Sequence, residues 1–386
     1  MNKIALTITL LLIFTVSNAI EVEIDGIRYN LIVNNDNVPI AEVTENRAVN
    51  SKSEPISLYS GTITIPEKVF YEGIEFPVTK IGRNAFEDSP NLKSVIIPNS
   101  VTEIDSWAFS GCNNLISVTI PNSVTHIGWY VFENCTNLKS VNIPNGLTEI
   151  PRQTFYKCAS LTSIIIPNSV KTIGMSAFEG CSDLTSVTLH DGVEKIEDCA
   201  FCGCCSLNSF IIPNKLKVIR LLAFANCSSL KSITIPNSVT NINREAFKNC
   251  SNLTTVIIGK GMEIISYNVF ENCSKLTDMY CYAKNVNAEM NGIYSNNFKG
   301  SSVRSATLHV PSEYLLYYKL NSPWFEFGNI VALTDSDPTP TGLKEVRKIE
   351  KNNEKPFDLN GRRIEQPKQG IYIKNGKKVI VRDFKR

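Results

Sequence analysis

Histidine is nearly absent from this chain: His126, His190 and His309 are the only three in 386 residues. That scarcity, with no His-Glu-x-x-His, Gly-x-Ser-x-Gly or phosphate-cradling glycine loop, leaves no pattern for a zinc hydrolase, a serine esterase or a nucleotide-binding enzyme. His126 falls at an outward strand position and His190 replaces a turn proline, so both read as surface side chains. Excess charge is also missing. The 39 Lys and Arg against 37 Asp and Glu leave +2, which does not suit the whole chain to nucleic acid. Apolar runs are short: residues 4–16 form the longest and do not make a good transmembrane helix. Paired carboxylates are lacking too. Glu87, Glu133 and Glu179 recur without an acidic partner at a matching second position, which argues against a glycosidase or lyase and against repeat-bound calcium. The expectation is a non-catalytic protein without metal or cofactor.

What the chain does contain is repetition. Phe86, Phe109, Phe132, Phe155, Phe178, Phe201, Phe224, Phe247 and Phe270 stand 23 residues apart with no insertion. Leucine follows each by six positions (Leu92 to Leu276), and isoleucine precedes each by five (Ile81 to Ile265). A fixed period of this size marks a solenoid, whose units cannot bury their apolar face alone. Within one unit, Ser117-Val118-Thr119-Ile120-Pro121 alternates as a short strand closed by proline. A second extended piece is expected at 124–127, and a helical or 3₁₀ turn around Ala108-Phe109-Ser110-Gly111-Cys112. Nine coils at about 4.8 Å each make a rod on the order of 40–45 Å long.

Cysteine follows eight of these aromatics by three positions, from Cys112 to Cys273, with Ser89 in the first copy. Side chains in such a ladder point in parallel, so buried free thiols are favoured over disulfides. Cys199, Cys202 and Cys205 lie outside the ladder. Their spacing leaves open a metal ligand pair, a local disulfide or incidental decoration, and the redox state of these three and of Cys281 is not readable.

The ends differ from the array. Lys3, the apolar run and Ser17-Asn18-Ala19 read as a secretory signal over residues 1–19, cleaved near Ala19, and no cysteine follows closely enough for a lipoprotein anchor. Residues 20–60 read as an N-terminal β cap with a hairpin turning at Asp25-Gly26. The solenoid is placed at 61–276, and an aromatic-rich capping unit at 277–333 with Ser312 as a helix N-cap. Residues 334–342 read as a Pro-containing linker, and 343–386 as a small antiparallel β module. That last segment is basic: it holds 14 of the Lys and Arg and 6 of the Asp and Glu, leaving 25 against 31 elsewhere.

The Ala-Phe pairs, Pro-Asn turns and in-phase Ile, Cys and Leu between about Ile63 and Leu333 resemble the BspA-like leucine-rich repeats of bacteria. The pattern departs at Leu189-His190-Asp191 and at Gly259-Lys260, where the Pro-Asn pair is lost. The tail, with Gly370-Ile371-Tyr372 and Lys378 to Arg382, resembles the C-terminal sorting modules of exported Bacteroidetes proteins but is shorter. The resemblance implies a β-rich leucine-rich-repeat solenoid of short parallel strands on the bacterial outer surface. It also implies adhesion to host matrix proteins or other cells.

Partners of a solenoid read its variable surface. Trp107, Trp129, Tyr130 and Tyr156 flank their core aromatics in three consecutive coils, with Arg152 beside them. Aromatic and Arg clusters make interface hot spots; the same residues also serve simply to cover the turn. The expectation is a monomeric surface protein that binds a protein or glycan on host or neighbouring cells through these five residues. A structural component without a ligand, or a glycan-binding solenoid, stays open beside it.

Overall fold

The computed structural model describes residues 19–34, 36, 38–49, 55–288, 297–340, 370–374 and 377–381. The expected signal segment up to residue 18 and the tail from 341 to 369 lie outside them. The chain divides into two compact units, 1–340 and 341–386. In the second, Gly370–Lys374 pairs antiparallel with Lys377–Val381.

The first unit is a parallel β-solenoid, and each 23-residue repeat makes one coil. A first row of strands carries the Ser-Val-Thr segments: Ser117–Thr119 pairs in register with Asn91–Ile96 on one side and Ser140–Val141 on the other. A second row carries the two residues ending at the in-phase isoleucine, as where Glu103–Ile104 pairs with His126–Ile127. Both rows are parallel because every coil traverses the same path one repeat higher. Alternation sends Val118 and Ile120 into the core and Thr119 to solvent.

The aromatic turn closes the coil and forms a third ladder. Its alternate N–H groups point to the next coil: Trp107 to Trp129 O (3.0 Å), Phe109 to Val131 O (2.9 Å) and Gly111 to Glu133 O (2.8 Å). The N–H groups between them close i→i+3 turns, as with Ser110 to Trp107 O and Cys112 to Phe109 O. These are the bonds of a 3₁₀ turn, but left-handed residues on both sides of the aromatic stop them from running on as a helix. Positive φ occurs two before and two after the Phe in every complete coil, at Trp107 and Gly111, Tyr130 and Asn134, Leu222 and Asn226. The later position is filled mainly by Gly and Asn, which tolerate that conformation. Asn226, Asn249 and Asn272 also link side chain to side chain, the Nδ2 of Asn249 donating to Asn226 Oδ1 and that of Asn272 to Asn249 Oδ1, both at 2.8 Å.

The core is a set of ladders. Phe86 to Phe298 stack with centroids 5.1–5.8 Å apart and planes within 12°. Tilted aromatics close the column at both ends: Tyr59 lies 4.7 Å from Phe86, and Phe327 meets Phe298 edge-on at 5.1 Å. Each of these side chains contributes about 1.5–3 kcal/mol by leaving water, a gain unavailable to a lone coil.

The capping segments are built into the sheets. Ile20–Ile24 and Ile27–Val33 form the hairpin at Asp25-Gly26, and the next strand, Pro39–Val43, pairs parallel with Ile74–Ile81 of the second row. Lys80 stitches this joint, its Nζ lying 3.6 Å from Glu42, 3.2 Å from Glu103 and 2.9 Å from Asp105. At the far end the stack runs past residue 276. Phe298 continues the column, and Asp278–Cys281, Thr307–Val310 and Asn329–Ala332 continue the first row. Ser312 does not cap a helix; it opens a 3₁₀ turn, Ser312–Tyr314, ahead of the helix Leu315–Leu320. Tyr318 and Trp324 are fully buried there and donate to Ala283 O and Val286 O. The first residues of the expected linker are tied down: Tyr282 donates to Pro338 O at 2.8 Å, and Asp337 lies 3.7 Å from His309. At Gly259, where other copies have proline, the N–H donates to Ile235 O at 2.9 Å and adds a ladder bond that proline cannot make.

The strand rows are interrupted twice. The first row breaks between Ser140–Val141 and Ser163–Ile165, the second between His126–Ile127 and Glu149–Ile150. Two residues alter the pairing here, Asn142 by shortening the pairing of Ser140–Val141 with Ser117–Thr119 and Pro151 by breaking the second row. Asn142 inserts its side-chain amide, accepting from Ile120 N–H (2.8 Å) and donating to Ile120 O (2.7 Å), in place of main-chain pairing. Pro151 stands where Gly128 and Gly174 donate to the preceding coil and has no N–H to give. The second interruption separates Ser186–Thr188 from Ser232–Ile235 and Lys195–Ile196 from Val218–Ile219. Phe210 occupies the phase of Val118 and Val187, and its ring wedges 5.0 Å from Phe201 and 4.7 Å from Phe224. A ring in a slot sized for valine displaces main chain from the ladder.

Candidate functional site

The residue two before each core Phe is left-handed in every complete coil, and its side chain leaves the core. Gly or Asn would be the least strained choice; a large side chain there costs about 1–2 kcal/mol. This chain nevertheless places Trp107 and Tyr130 there in adjacent coils. Their rings stack with centroids 4.9 Å apart and planes 6° from parallel. Arg83 lies over the outer face of Trp107 at 4.5 Å, and Arg152 over that of Tyr130 at 5.7 Å. The result is a four-layer column, Arg83–Trp107–Tyr130–Arg152, running along the solenoid across four coils. Stacking of about 0.5–1.5 kcal/mol and cation–π contacts of similar size offset the backbone strain. Arg152 is further held by Nε donating to Gln153 Oε1 at 2.9 Å.

Of the five residues expected to act together, the fold therefore joins Trp107, Tyr130 and Arg152. Trp129 lies beside the column, in the phase of Arg83 and Arg152, and is 56% exposed. Its N–H is fixed by Ser106 Oγ at 3.1 Å. Tyr156 does not join: it follows its Phe, in the column of Glu133 and Glu179, with Lys157 over its ring at 5.0 Å. Arg83 was missed by sequence reasoning. It sits three before Phe86, the phase of Arg152, and that equivalence was the available signal.

The electrostatics around the column are set by its first coil. Burial pushes the Asp105 carboxyl up, but hydrogen bonds from Lys80 and Ser106 and the nearby Arg83 hold it net below the usual range. The column is thus a cationic, aromatic strip beside an acid that stays charged. A weaker echo occurs farther along, where Arg244 lies over Tyr267 at 5.3 Å and donates to its hydroxyl.

The cysteines sort as two groups. All eight ladder thiols are buried and free. Cys199, Cys202 and Cys205 reach the surface of one turn, where the Cys202 N–H closes the turn on Cys199 O at 3.0 Å. Burial pushes the Cys199 thiol up to about 11 and raises Cys202 as well, and Glu179 raises both further. Such thiols are poor nucleophiles near neutral pH. Among the described residues no cluster of His, Cys, Asp and Glu could hold a metal ion, and no helix is long and apolar enough to cross a membrane.

Two clefts open where the strand rows are interrupted. One, of about 750 Å³, is lined without Asp, Glu, Lys or Arg, by residues including Asn142, Ile165 and His190. The other, of about 560 Å³, is lined by Glu194, Lys195, Lys215, Lys217 and Arg220.

No curated protein matches the chain. A leucine-rich repeat protein from Bacteroides ovatus ATCC 8483 shares the fold at 23% identity, over 81% of this chain and 76% of that one, with a TM-score of 0.52. A leucine rich cell surface protein from Faecalibacterium prausnitzii A2-165 is 23% identical over 82% and 96% of the two chains, with a TM-score of 0.48. The pneumococcal vaccine antigen PcpA is 18% identical over 82% and 98%, with a TM-score of 0.44. The family model for the BspA type leucine rich repeat region (6 copies) matches residues 43–159, 79–204, 148–277 and 194–318. With that match spanning well over half of its length, the chain belongs to the BspA-type leucine-rich repeat family.

Proposed function

We propose that this protein is an exported, non-catalytic surface scaffold that binds a macromolecular partner along the aromatic-turn face of its solenoid. The observation that carries this reading is the Arg83–Trp107–Tyr130–Arg152 column with the exposed Trp129 beside it. A strained backbone position holding large aromatics, bracketed by arginines and flanked by a tryptophan in solvent, matches the composition of interface hot spots. Export rests on the signal-like residues 1–19, and surface location on the family's character. The solenoid supplies a rigid support, because alternate N–H groups of the turn are bonded to the next coil and the strip cannot deform one coil at a time.

The partner class is a protein of the host matrix or of a neighbouring cell surface. The test is a binding screen of the chain from Ile20 onward against immobilised matrix proteins and neutral glycans. Saturable binding to a protein, lost on removal of the column's aromatics, supports the reading. Absence of binding throughout leaves a structural surface component, and turnover of a polysaccharide would overturn the non-catalytic assignment.

A further inference from the structure

The second cleft reverses the charge of the solenoid locally. Outside the tail the chain has 25 Lys and Arg against 31 Asp and Glu, so its surface leans acidic. Four cations nevertheless line this cleft, Lys195, Lys215, Lys217 and Arg220, against the single carboxylate of Glu194. Two are partly answered: Lys215 lies 3.9 Å from Glu194, and Arg220 lies 3.3 Å from Glu197. Among the described residues Lys195 and Lys217 take part in no ion pair.

The cleft belongs to the fold itself. Phe210 wedges between Phe201 and Phe224 and breaks the first strand row. The second row is unpaired between Lys195–Ile196 and Val218–Ile219. Cations placed on the two sides of that gap face a common concavity, with Ile196 and Val218 lining it. Low-dielectric walls and one sign of charge focus the field in such a place and raise the local concentration of anions.

We infer that this cleft is a binding site for a linear acidic polysaccharide carrying sulfate or carboxylate groups. Three features define the ligand. Two unpaired ammonium groups and two partly neutralised cations call for more than one negative charge. Along the solenoid axis exposed Lys171 occupies the phase of Lys217 two coils earlier, about 10 Å away at one coil per 4.8 Å, with Glu194, which Lys215 already engages, in the coil between them. Charges repeating along a line suit a polymer with regularly spaced anionic groups. No aromatic side chain lines the cleft, so nothing there stacks a base, as single-stranded nucleic acid requires. This site is separate from the Trp107–Tyr130 column, and either reading can fail without the other.

The experiment is retention of the protein on immobilised heparin, with elution followed against salt. The K195A/K217A double variant should bind about thirty-fold more weakly and lose about 2 from the slope of log affinity against log salt. The K93A/K139A variant, which removes equal charge from exposed positions outside the cleft, should behave as wild type. K195Q/K217Q repeats the test with longer side chains in case the alanine pair perturbs folding, and thermal melts of all variants should coincide. Equal shifts in both alanine pairs would show bulk charge at work, and no shift in either would assign retention to the basic tail; each overturns the site. If single-stranded DNA of matched charge displaced heparin as well as free heparin does, the polysaccharide assignment would be overturned.

Discussion

The Cys135 thiol donates to the main-chain carbonyl of Phe109, 3.1 Å away in the preceding coil. The same bond recurs from Cys112 to Phe86 O at 3.0 Å through Cys273 to Phe247 O at 3.3 Å. At the end of the array Ser301 makes it to Phe270 O with a hydroxyl. From Phe109 onward each carbonyl also accepts the Cys N–H of its own turn, so the thiol supplies its second bond from the next coil. Cysteine suits the position because its sulfur is small, tolerates complete burial and still donates weakly.

That burial makes the fold sensitive to alkali. Loss of water around the sulfur pushes Cys112 and Cys273 up from 9.0 to about 12, and raises Cys135, Cys158, Cys204 and Cys250 well above 9.0. Below pH 9 folded and unfolded chains both keep these protons, and the stability they support is fully present. Above pH 9 the unfolded chain releases protons that the fold retains, so stability falls by about 1.4 kcal/mol per pH unit for each such thiol. Urea unfolding from pH 8 to 11 should show a midpoint that is flat below pH 9 and drops steeply above it; a flat profile throughout would refute the account.

Leu222 tests the left-handed turn. Its φ of 54° lies where Leu is strained and Gly is not. Leu222→Gly should cost little or stabilise by up to about 1 kcal/mol, whereas Leu222→Ile should destabilise by about 1–2 kcal/mol, because β-branching worsens that conformation. Denaturation midpoints of the two variants should fall on opposite sides of the Leu222→Ala value.

Asn142 tests the pairing of Ser117–Thr119 with Ser140–Val141, which it shortens. Its amide makes two bonds to Ile120, and Asn142→Ala removes both. A loss of about 1–3 kcal/mol is expected, with faster hydrogen exchange at the Ile120 amide. Unchanged exchange there would show that the main chain closes the ladder unaided.

Trp129→Ala separates binding from stability. The ring is 56% exposed, so unfolding should shift by no more than about 0.5 kcal/mol. Partner affinity, measured on whichever protein the screen returns, should fall at least about thirty-fold, as for a hot-spot residue. Tyr130→Ala is a less clean probe, because it also takes a layer out of the column.

The period of 23 made the coil legible. A residue type held in phase must meet its own equivalent one coil away, so Phe, Cys, Leu and Ile read directly as stacked core ladders. The Asp25-Gly26 pair marked the N-terminal hairpin for an equally local reason. The caps were less legible because they join the solenoid's sheets through contacts distant in sequence, such as Pro39–Val43 with Ile74–Ile81. The linker reading of 334–340 rested on proline and polarity, and could not anticipate that Tyr282 and His309 hold those residues.

The sequence alone determined the architecture, the burial of the cysteine ladder and the concentration of variation next to each Phe, since periodicity and hydrophobicity are properties of the chain. Tertiary structure decided which variable residues meet. Trp107 and Tyr130 stack because both occupy the left-handed position of adjacent coils, while Trp129, one residue earlier, points to solvent. Arg83 entered the column, and Tyr156 left it, through the same backbone geometry. The sheet interruptions have the same origin, because the missing N–H at Pro151 and the ring at Phe210 break the ladders only when neighbouring coils are stacked against them.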